Sequence, residues 1–593
     1  MAKRLPMTGW FNPGLLVQAG IREAVSTVFG RYADRRESIA ASNAIAAMPA
    51  DEMLHYRDHK GDFWFDYLAD TGDGWNPTYA MARLISAPSI EAGGEVLTRG
   101  RLLLLGGDQV YPSASRQDYE ERFRAPFEEA WKVAGAPQDG DAPHLYALPG
   151  DHDWHDGLNA FFGLFCRRRT PAAGTLGFAR DGAVIAGRET RQTRSYFALA
   201  LPHGWWLWGT DSQMEGYIDQ PQIDYFSHVA AKWMEPGSKV ILCVSEPVWA
   251  NAVSGRVEDR YRSFNYLERL AGLAKHPETG DRMGHELKLV LTGDSHHYSR
   301  FVEENASGRQ YITCGGGGAF TSATHQLGER TIPSEYPPPG VDGAKGENNR
   351  TFRIADEGRS RYPEKLTSYL LALRNVAFPI LNWQFTLLLA GIFLVLNWIL
   401  AFNAAATGRG DFATLLSQGG FADALEAYGG LTYVSPAVPV ILAALLFACW
   451  ALADARDKAW LRILLGVGHA LAHFAAVAAA TVLTVRLLGH WWDGGWGSAA
   501  LLVAAGLVSG LVSAFVMGFY FIFCMVLLRR QTGYGFSGLR IQSRKSFLRL
   551  RIATDGVLTV HAVGLKKVPR DDGEKPKNPS LHPHLIERVE IGP

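Results

Sequence analysis

Clusters of aspartate, histidine and glycine follow a series of short apolar runs between residues 63 and 297. The runs are FWFDYLADTG, LLLLGGDQVY, HLYALPGDHDW, VILCVSEP and LKLVLTGDSHH, and each resembles a strand up to its polar end. In layered α/β folds, ligands bind where the carboxyl ends of strands meet at one edge of a sheet. Carboxylate and imidazole groups at such an edge suit divalent metal ions. One cluster of this kind is usually only a turn, but five in order along one chain indicate a metal centre.

The polar ends of these runs supply the candidate site residues, which are Asp66, Asp70, Asp73, Asp108, Tyr111, Asp151, His152, Asp153, Ser245, Glu246, Asp294, His296 and His297. Glycines beside several of the carboxylates permit tight turns and close backbone approach. A later run, YITCGGGGAFTSATH, contains Gly315 and Gly316. The N–H groups of such a run either approach a phosphate group or form a tight packing turn. The sequence leaves both interpretations open for these glycines.

The order of the motifs resembles the calcineurin-like metallophosphoesterase superfamily. Its motifs are Asp-x-His or Asp-x-Gly, Gly-Asp, Gly-Asn-His-Asp/Glu, a histidine before a proline, and Gly-His-x-His. Here DTG begins at Asp70, GDQVY contains Asp108 and Tyr111, GDHD begins at Gly150, and GDSH ends at His296. Asp-x-Gly together with Gly-Asp-x-x-Tyr is similar to the purple-acid-phosphatase type, in which the tyrosine binds iron. The resemblance implies a four-layer α/β/β/α sandwich that holds two metal ions about 3.5–4 Å apart.

The resemblance also implies which residues bind the two metal ions. Asp70 and His296 would bind the first ion, and Asp108 would bridge it to the second, which Asp151 would bind. Tyr111 has the spacing of the tyrosine ligand, although an aromatic ring that packs beside the site would explain it equally well. Two divalent ions are therefore the expected cofactors.

Proton transfer in the same family implies roles for the two residues after Asp151. His152 matches the histidine of Gly-Asn-His-Asp and would help to protonate the leaving group, with Asp153 orienting the ring. A metal-assisted hydrolysis of this kind needs no covalent intermediate and no cysteine. The five cysteines of the chain are scattered, with no CxxC pair and no disulfide framework.

Several family positions are altered in this chain. The first histidine of Gly-His-x-His is Asp294, and the histidine before proline is Ser245, with Glu246 adjacent. The second metal would therefore be surrounded by Asp108, Asp151, Asp294 and Glu246. Such an oxygen-rich site favours Mn²⁺ or Mg²⁺, with Fe or Zn²⁺ as alternatives. His297 and Asp73 are further candidates beside the site, as ligands or as supporting residues.

Four apolar stretches in the second half of the chain have the length of a membrane span, which needs roughly 20 apolar residues. They cover residues 377–402, 434–452, 463–488 and 499–528. His469 and His473 lie four residues apart in the third stretch and share one helix face. They could bind haem or a metal ion, but the sequence favours polar packing between helices, because no matching pair appears on another stretch.

The distribution of Lys and Arg predicts the orientation of these spans. Positive residues are dense at 359–374, at 456–462 and at 529–545, whereas the loop HWWDGGWG has none. Positive loops face the cytoplasm, and the N-terminus has no continuous apolar stretch of signal-peptide length. We therefore expect a multi-pass protein of the inner or plasma membrane, with the catalytic domain and the C-terminus in the cytoplasm.

The composition divides the chain into four predicted regions. They are an N-terminal helical segment at 1–50, a metallophosphoesterase domain at 51–370, four transmembrane helices at 376–528 and a small β-rich tail at 529–593. The tail is predicted from the alternation in SFLRLRIATDGVLTVHAVG around a Thr-Asp-Gly turn. Lys plus Arg and Asp plus Glu balance at 59 each, which gives no reason to expect nucleic acid as a partner.

These observations predict a two-metal hydrolase that cleaves a phosphomonoester or phosphodiester at the cytoplasmic face of the membrane. Its substrate would be a phosphorylated small molecule or a phospholipid, and the lipid bilayer would be its other partner. The alternative is a membrane-tethered binding or sensory protein with a degenerate phosphoesterase fold, since most of the family's imidazole ligands are replaced. Metal content and turnover distinguish the two.

Overall fold

The computed structural model describes residues 3–18, 53–134, 143–166, 168–171, 178–181, 183–212, 218–250, 257–304, 308–331, 350–455, 458–491, 495–570 and 580–592. The chain divides into two compact units. The α/β unit comprises Met1–Thr8, Thr27–Lys365 and Arg540–Pro593, and the helical unit comprises Gly9–Ser26 and Leu366–Leu539. Most of the predicted N-terminal helical segment lies outside the described residues, although residues 13–18 are helical.

The strands of the α/β unit are, in chain order, β1 (Phe63–Leu68), β2 (Ser89–Ala92), β3 (Glu95–Thr98), β4 (Leu102–Leu105), β5 (His144–Ala147), β6 (Arg168–Pro171), β7 (Phe178–Asp181), β8 (Val184–Ile185), β9 (Arg188–Thr190), β10 (Phe197–Ala200), β11 (Trp205–Gly209), β12 (Lys239–Cys243), β13 (Glu286–Thr292), β14 (Tyr298–Glu303), β15 (Gln310–Cys314), β16 (Arg330–Thr331), β17 (Phe352–Ile354), β18 (Arg361–Tyr362), β19 (Lys545–Ile552), β20 (Leu558–Leu565) and β21 (Pro583–Ile591). Its helices and helical turns are Trp75–Ser86, Arg116–Asp118, Tyr119–Arg124, Ala125–Ala134, Asp153–Asp156, Asn159–Phe165, Pro202–Gly204, Gln220–Lys232, Val257–Leu273 and Ala355–Gly358.

Two large sheets organise these strands. Sheet 1 has eight strands in the order β21-β20-β19-β1-β4-β5-β9-β8, and β1, β4 and β5 are parallel. Sheet 2 has nine strands in the order β10-β11-β12-β13-β15-β14-β17-β16, with β18 paired to β14. Its strands β11, β12, β13 and β15 are parallel. The two short hairpins β2–β3 and β6–β7 lie outside both sheets. The chain is therefore a mixed α/β protein, as its sequence predicts.

Alternation along the strands distributes the apolar side chains between separate clusters. In β4, Leu102 and Leu104 belong to a cluster shared by sheets 1 and 2, whereas Leu103 and Leu105 belong to a cluster with helices Trp75–Ser86 and Ala125–Ala134. A third cluster joins sheet 2 to residues of helices Gln220–Lys232 and Val257–Leu273. Successive side chains of a strand point to opposite faces of the sheet, so an all-apolar strand contributes to a separate apolar cluster on each face.

The C-terminal strands belong to sheet 1 and not to a separate tail. Strand β19 pairs antiparallel with β1, with Phe65 opposite Leu550 and Tyr67 opposite Leu548. The predicted hairpin is formed by β19 and β20. Phe547 enters the cluster on the helix side of sheet 1, and Leu548, Leu550 and Ile552 enter the cluster between the sheets. The α/β unit therefore contains residues from both sides of the apolar region in the sequence.

A buried ion pair connects β19 to β1. Arg549 Nε donates to Asp66 Oδ1 at 2.7 Å, and both side chains are at most 1% exposed. Arg549 Nη1 also donates to the Leu97 carbonyl at 3.0 Å, and Gly100 N donates to Asp66 Oδ2 at 3.1 Å. Burial of a charged group costs free energy unless hydrogen bonds replace those it made with water. The hydrogen bonds of Arg549 and Asp66 offset this desolvation cost for both groups.

We expect the substitution Arg549→Met to lower the free energy of unfolding by about 3–5 kcal/mol, because it leaves the Asp66 carboxylate buried without its partner. Thermal or denaturant unfolding of the detergent-solubilised chain measures this loss. The control is Arg551→Met on the same strand, since Arg551 is partly exposed and 3.6 Å from Asp62. That variant should change the free energy by less than about 1 kcal/mol. Equal effects of the two substitutions would contradict the assignment.

The helical unit contains Leu373–Ala377, Phe378–Leu381, Trp383–Ala406, Phe412–Ser417, Phe421–Leu431, Ala437–Leu452, Ala459–Leu488, Gly489–Trp491, Gly495–Val526 and Thr532–Leu539, and the helix Lys365–Ala372 leads into it. Among the described residues, three of these helices are long and apolar enough to cross a membrane, namely Trp383–Ala406, Ala459–Leu488 and Gly495–Val526. The second predicted span forms a shorter apolar helix of 16 residues, Ala437–Leu452. The prediction of four spans is therefore supported for three of them.

Small residues and polar contacts join the long helices. A Cβ on Gly510 would lie 2.5 Å from Ala390 Cα, so the backbones of Trp383–Ala406 and Gly495–Val526 are in direct contact there. Asn397 Nδ2 donates to Thr481 Oγ1 at 3.1 Å. Close approach at small residues and hydrogen bonds between helices are typical of packing in a lipid environment.

Candidate active site

Loops at the carboxyl ends of parallel strands gather most of the predicted site residues. Asp70 follows β1, Asp108 follows β4 and Asp151 follows β5, all in sheet 1, while Asp294 and His296 follow β13 in sheet 2. The sequence prediction assigned these residues to strand ends, and the structure brings several of them into contact. The position agrees with the general rule for ligand sites in α/β sheets.

The hydroxyl group of Tyr111 lies at the centre of this group. It is 3.0 Å from Asp108 Oδ2, 3.3 Å from Asp70 Oδ1 and 2.9 Å from His296 Nε2. Its ring lies 4.4 Å from the ring of His152, measured between centroids. Both interpretations of Tyr111, ligand and packed aromatic ring, are compatible with this position, and the hydroxyl itself faces three candidate ligands.

Backbone N–H groups hold two of the carboxylates in place. Asp294 N donates to Asp70 Oδ1 at 3.0 Å, and His152 N donates to Asp108 Oδ1 at 3.0 Å. Asp70, Asp108, Asp294 and His296 all have positive φ angles, between 51° and 66°. Such angles are uncommon outside glycine and cost energy, and they cluster where function fixes the backbone. Their coincidence at four candidate ligands makes this loop cluster the candidate functional site.

Burial shifts the pKa values of the groups in this site. Burial, and then the charges of neighbouring carboxylates, raise the pKa of Asp70 and of Asp108 well above the usual range. Burial lowers the pKa of His296 to about 3, so its ring is neutral at pH 7 and has a lone pair available. Carboxylates that repel one another and a neutral imidazole are the groups that a divalent cation would stabilise.

The residues present fit divalent metal ions. Asp70 Oδ2 is buried and has no hydrogen-bond partner in the part of the chain that the structure describes, which is costly for a carboxylate oxygen unless a cation approaches it. Ligand atoms of Asp108, Asp151 and His152 lie within 4.8 Å of one another. The donor set is rich in oxygen, as hard ions such as Mn²⁺ and Mg²⁺ prefer. Asp151 is half-exposed, so this side of the site is open to solvent.

His152 is oriented by a carbonyl group. Its Nδ1 is 2.7 Å from the carbonyl oxygen of Pro112, which can only accept, so Nδ1 carries a proton. Nε2 is the ring nitrogen that Pro112 does not contact, and it lies 4.0 Å from Asp151 Oδ1. Asp153 is buried and accepts hydrogen bonds from Gly150 N and Gln109 N and from the hydroxyl of Tyr119. These contacts hold Asp153 within its loop, and the Pro112 carbonyl holds the ring of His152. The role of Asp153 in orienting that ring stays a prediction.

Ser245, which stands where the family has its histidine before proline, lies between two of the site loops. Ser245 Oγ is 2.6 Å from Ser212 Oγ, and Gly293 N donates to the Ser245 carbonyl at 3.1 Å. A Cβ on Gly107, next to Asp108, would lie 3.5 Å from Ser245 Cβ. Glu246 is half-buried beside it. The altered residues therefore occupy the expected place, and the role of Glu246 as a ligand stays a prediction.

The glycine run packs against the site. Gly315 N donates to the His297 carbonyl at 3.0 Å, and the Gly316 carbonyl accepts from Ser546 N at 3.1 Å. A Cβ on Gly315 would lie 2.0 Å from Asp70 Oδ2, and one on Gly316 would lie 2.4 Å from Ser546 N. Of the two interpretations left open by the sequence, these contacts favour the packing turn. The backbone N–H group of Gly315 already donates to the His297 carbonyl, so it is not available to a phosphate group.

The two further candidates, His297 and Asp73, are both buried. The ring of His297 has Nε2 3.4 Å from Ser299 Oγ, and burial lowers its pKa to about 4. Asp73 accepts hydrogen bonds from Thr8 N at 2.9 Å and from Phe320 N at 3.2 Å. Asp73 is therefore engaged in holding the surrounding chain together, and His297 lies beside the candidate ligand His296.

Lys545 is a charged neighbour of the site that the sequence prediction missed. It begins β19, it is fully buried, and its Nζ donates to Thr321 Oγ1 at 2.8 Å and to the carbonyl of Ala319. Burial lowers its pKa to about 7, while the charges of Asp73 and Asp70 oppose that shift. The alternation in SRKSFLRLRI predicts a strand, but no local signal shows that this strand adjoins β1.

Comparisons with known proteins give distant similarities. No protein-family model matches the chain, and no curated protein matches it. Among solved structures, the chain is similar to GAP50, described as the anchor in the inner membrane complex of Plasmodium, with a TM-score of 0.29 and 12% identity over 44% of this chain and 74% of that one. It is also similar to the structure of PhoD, with a TM-score of 0.27 and 11% identity over 45% of this chain and 59% of that one. Similarities at this level assign no activity, so the function is argued from the site.

Proposed function

We propose that the protein is a membrane-anchored, metal-dependent phosphoesterase. Its α/β unit would be a four-layer α/β/β/α sandwich that holds two divalent ions, with Asp70, His296 and Tyr111 around one ion and Asp151 and Asp294 around the other. Asp108 would bridge the two ions. Mn²⁺ or Mg²⁺ suits this donor set better than Zn²⁺, because oxygen ligands predominate.

The observation that carries this proposal is the meeting of carboxylates from separate strand ends around a buried, unpartnered oxygen. Asp70 Oδ2 has no hydrogen-bond partner, and its other oxygen is within reach of Tyr111 and of the Asp294 backbone. A purely structural cluster would pair such a carboxylate directly with arginine or lysine, as Asp66 in β1 pairs with Arg549 in β19. The nearby Lys545 instead donates its hydrogen bonds to Thr321 and Ala319. The contrast between Asp66 and Asp70 supports a cation as the missing partner.

The residues of the site suggest how a phosphate ester is cleaved. Two divalent ions at such a site supply a nucleophilic water at neutral pH and offset the charge of the phosphate oxygens. Pro112 holds Nδ1 of His152, and Nε2 lies 4.0 Å from Oδ1 of the half-exposed Asp151. A protonated Nε2 would donate to the departing oxygen. The backbone N–H groups that hold Asp70 and Asp108 fix the carboxylates before substrate binds, which reduces the reorganisation needed during reaction.

The helical unit suggests where the reaction takes place. Three helices have the length and composition of membrane spans. We propose that they anchor the protein in the inner or plasma membrane, together with the shorter helix Ala437–Leu452, and that the α/β unit faces the cytoplasm as the distribution of Lys and Arg predicts. A phospholipid or a lipid-linked phosphate is then the substrate class that anchoring favours, and soluble phosphate esters are the other class to test.

We expect the full-length protein in detergent to hydrolyse an aryl phosphomonoester or phosphodiester when Mn²⁺ or Mg²⁺ is added. The substitution Asp108→Asn should lower turnover by more than about 100-fold, because the bridging position needs a charged carboxylate and supporting residues alone account for 10–100-fold. Elemental analysis should show less bound metal in the same variant. The matched control is Asp58→Asn, at an exposed aspartate outside the site, which should keep both properties.

The same experiment separates the hydrolase from a binding or sensory protein. Turnover that depends on added metal and on Asp108 supports the proposal. Two bound metals without cleavage of aryl esters, phospholipid vesicles or lipid-linked phosphates would instead assign the α/β unit a binding role. No bound metal and no turnover would contradict the proposal.

A further inference from the structure

A second group of metal-ligating side chains lies in the helical unit. Cys449 is on helix Ala437–Leu452, and His469 and His473 are on helix Ala459–Leu488. One ligand atom from each of the three lies within 4.8 Å of the others. All three side chains are buried, with relative exposures of 8%, 3% and 6%. The sequence prediction expected polar packing here because no matching pair appears on another stretch. The structure places a single thiol, that of Cys449 on another helix, beside the two histidines.

The two imidazole rings face each other closely. His469 Nε2 and His473 Nε2 are 2.9 Å apart, and His473 Nδ1 is 2.7 Å from Ser513 Oγ on helix Gly495–Val526. Tyr520 stacks on His469 at 3.8 Å between ring centroids, with the planes 2° apart. Contacts from a third helix therefore fix the orientation of both rings, as supporting residues do around metal-binding histidines.

Hydrogen bonding does not satisfy all four ring nitrogens. Both nitrogens of His473 and Nε2 of His469 have partners, but Nδ1 of His469 is buried and has no partner among the described residues. Nδ1 of His469 stays unpaired in either tautomer. Which of the two Nε2 atoms donates and which accepts can be exchanged, but this brings no partner to Nδ1. Burial of an unpaired polar atom is costly. A cation that binds the rings through their lone pairs would change which nitrogens carry protons.

We propose that Cys449, His469 and His473 bind one monovalent copper ion. A thiolate and two imidazoles are soft or intermediate ligands, which select Cu⁺ or Zn²⁺ over Mg²⁺ or Mn²⁺. With a thiolate and two neutral imidazoles, Cu⁺ gives a site of zero net charge, whereas Zn²⁺ leaves one positive charge. Net charge is costly among apolar helices.

The geometry argues against binding of haem iron by this histidine pair. The axial ligands of a haem iron approach from opposite faces of the porphyrin. His469 and His473 lie on the same face of one helix, with Nε2 atoms 2.9 Å apart. The pair therefore cannot enclose a porphyrin, whereas it can supply two corners of a three-coordinate ion.

The test is copper binding by the full-length protein, purified in detergent under reducing, oxygen-free conditions. The protein is loaded with Cu⁺ or with Zn²⁺, passed through a desalting column, and its metal content is measured by elemental analysis. We expect about one copper ion per chain, and X-ray absorption should show one sulfur and two nitrogen neighbours. The oxygen-rich site of the α/β unit should contribute little, because Cu⁺ binds carboxylates weakly.

The variants Cys449→Ser and His473→Gln should each lose most of this copper, by about 10-fold or more. The matched control is Cys166→Ser, which removes a half-buried thiol from the α/β unit and should keep the copper. If Cys449→Ser fails to fold, His473→Gln decides the result, since its amide still reaches toward Ser513. Copper that is equal in all variants, preferential binding of Zn²⁺, or no bound copper would each overturn the proposal.

Discussion

A chain that ends at residue 539 should not form a folded α/β unit, although it keeps every predicted catalytic residue. Strand β19 covers the edge of β1, and the C-terminal strands contribute a set of apolar side chains to the cluster between the sheets, namely Leu548, Leu550, Ile552, Leu558, Val560, Ala562, Val589 and Ile591. Burial of each large aliphatic side chain contributes about 1.5–3 kcal/mol. The sum is on the order of 10–20 kcal/mol, which exceeds the usual net stability of about 5–15 kcal/mol.

The truncated chain should therefore be recovered as aggregate, because it exposes the apolar edge of β1 and the faces that β19–β21 cover. Solubility after detergent extraction and metal-dependent phosphatase activity measure this effect. The matched control joins Lys365 to Arg540 by a flexible linker, which removes residues 366–539 of the helical unit but keeps all strands of sheets 1 and 2. We expect this second chain to be soluble and to cleave aryl esters. Full activity in the chain that ends at residue 539 would contradict the role assigned to β19–β21.

The pairing of β19 with β1 shows where prediction from sequence reaches its limit. The alternation in SFLRLRI indicates a strand, and the Thr-Asp-Gly turn indicates a hairpin, and both are present as β19 and β20. The neighbour of that hairpin is set by contacts such as Arg549 with Asp66, 483 residues apart in sequence. A local pattern specifies an element and its faces but not the strand beside it. Lys545 was missed for the same reason.

The site itself was more accessible to prediction, because it depends on strand ends. Each run of apolar residues that ends in Gly-Asp or a similar motif forms a strand, and Asp70, Asp108, Asp294 and His296 lie together as expected. Details that depend on side-chain direction were not predictable. Pro112 accepts a hydrogen bond from His152 Nδ1, a contact that no motif indicates, and the glycine run packs on Asp70.

The apolar helices show the same limit in another form. Length and hydropathy predict three of them well, but the stretch at 434–452 yields a helix that begins only at Ala437. Pro436 precedes it, and the residue before a proline is disfavoured in a helix. The cluster of Cys449 with His469 and His473 depends on how two helices are rotated about their axes. Neither hydropathy nor the spacing of the two histidines contains that information.

Gly315→Ala should remove most of the phosphoesterase activity and most of the metal bound in the α/β unit. The φ angle of Gly315 lies outside the left-handed range, so the effect comes from the added Cβ atom and not from backbone strain. That atom would lie 2.0 Å from Asp70 Oδ2 and 2.7 Å from His296 N. Neither neighbour has room to yield, since Asp70 Oδ1 is held by Asp294 N and His296 is buried.

Displacement of Asp70 moves a carboxylate that we assign to the first metal, so turnover should fall by about 100-fold, as a misplaced group near the chemistry does. Turnover with Mn²⁺ and metal content by elemental analysis check this on the full-length protein. The control is Gly272→Ala on the exposed side of helix Val257–Leu273, where the nearest atom to a new Cβ is 3.7 Å away. That variant should keep its activity and gain about 0.5–1 kcal/mol in stability, because alanine favours the helix over glycine. Retention of activity within about threefold in Gly315→Ala would show that Asp70 is not a ligand, because at that distance the carboxylate cannot keep its position.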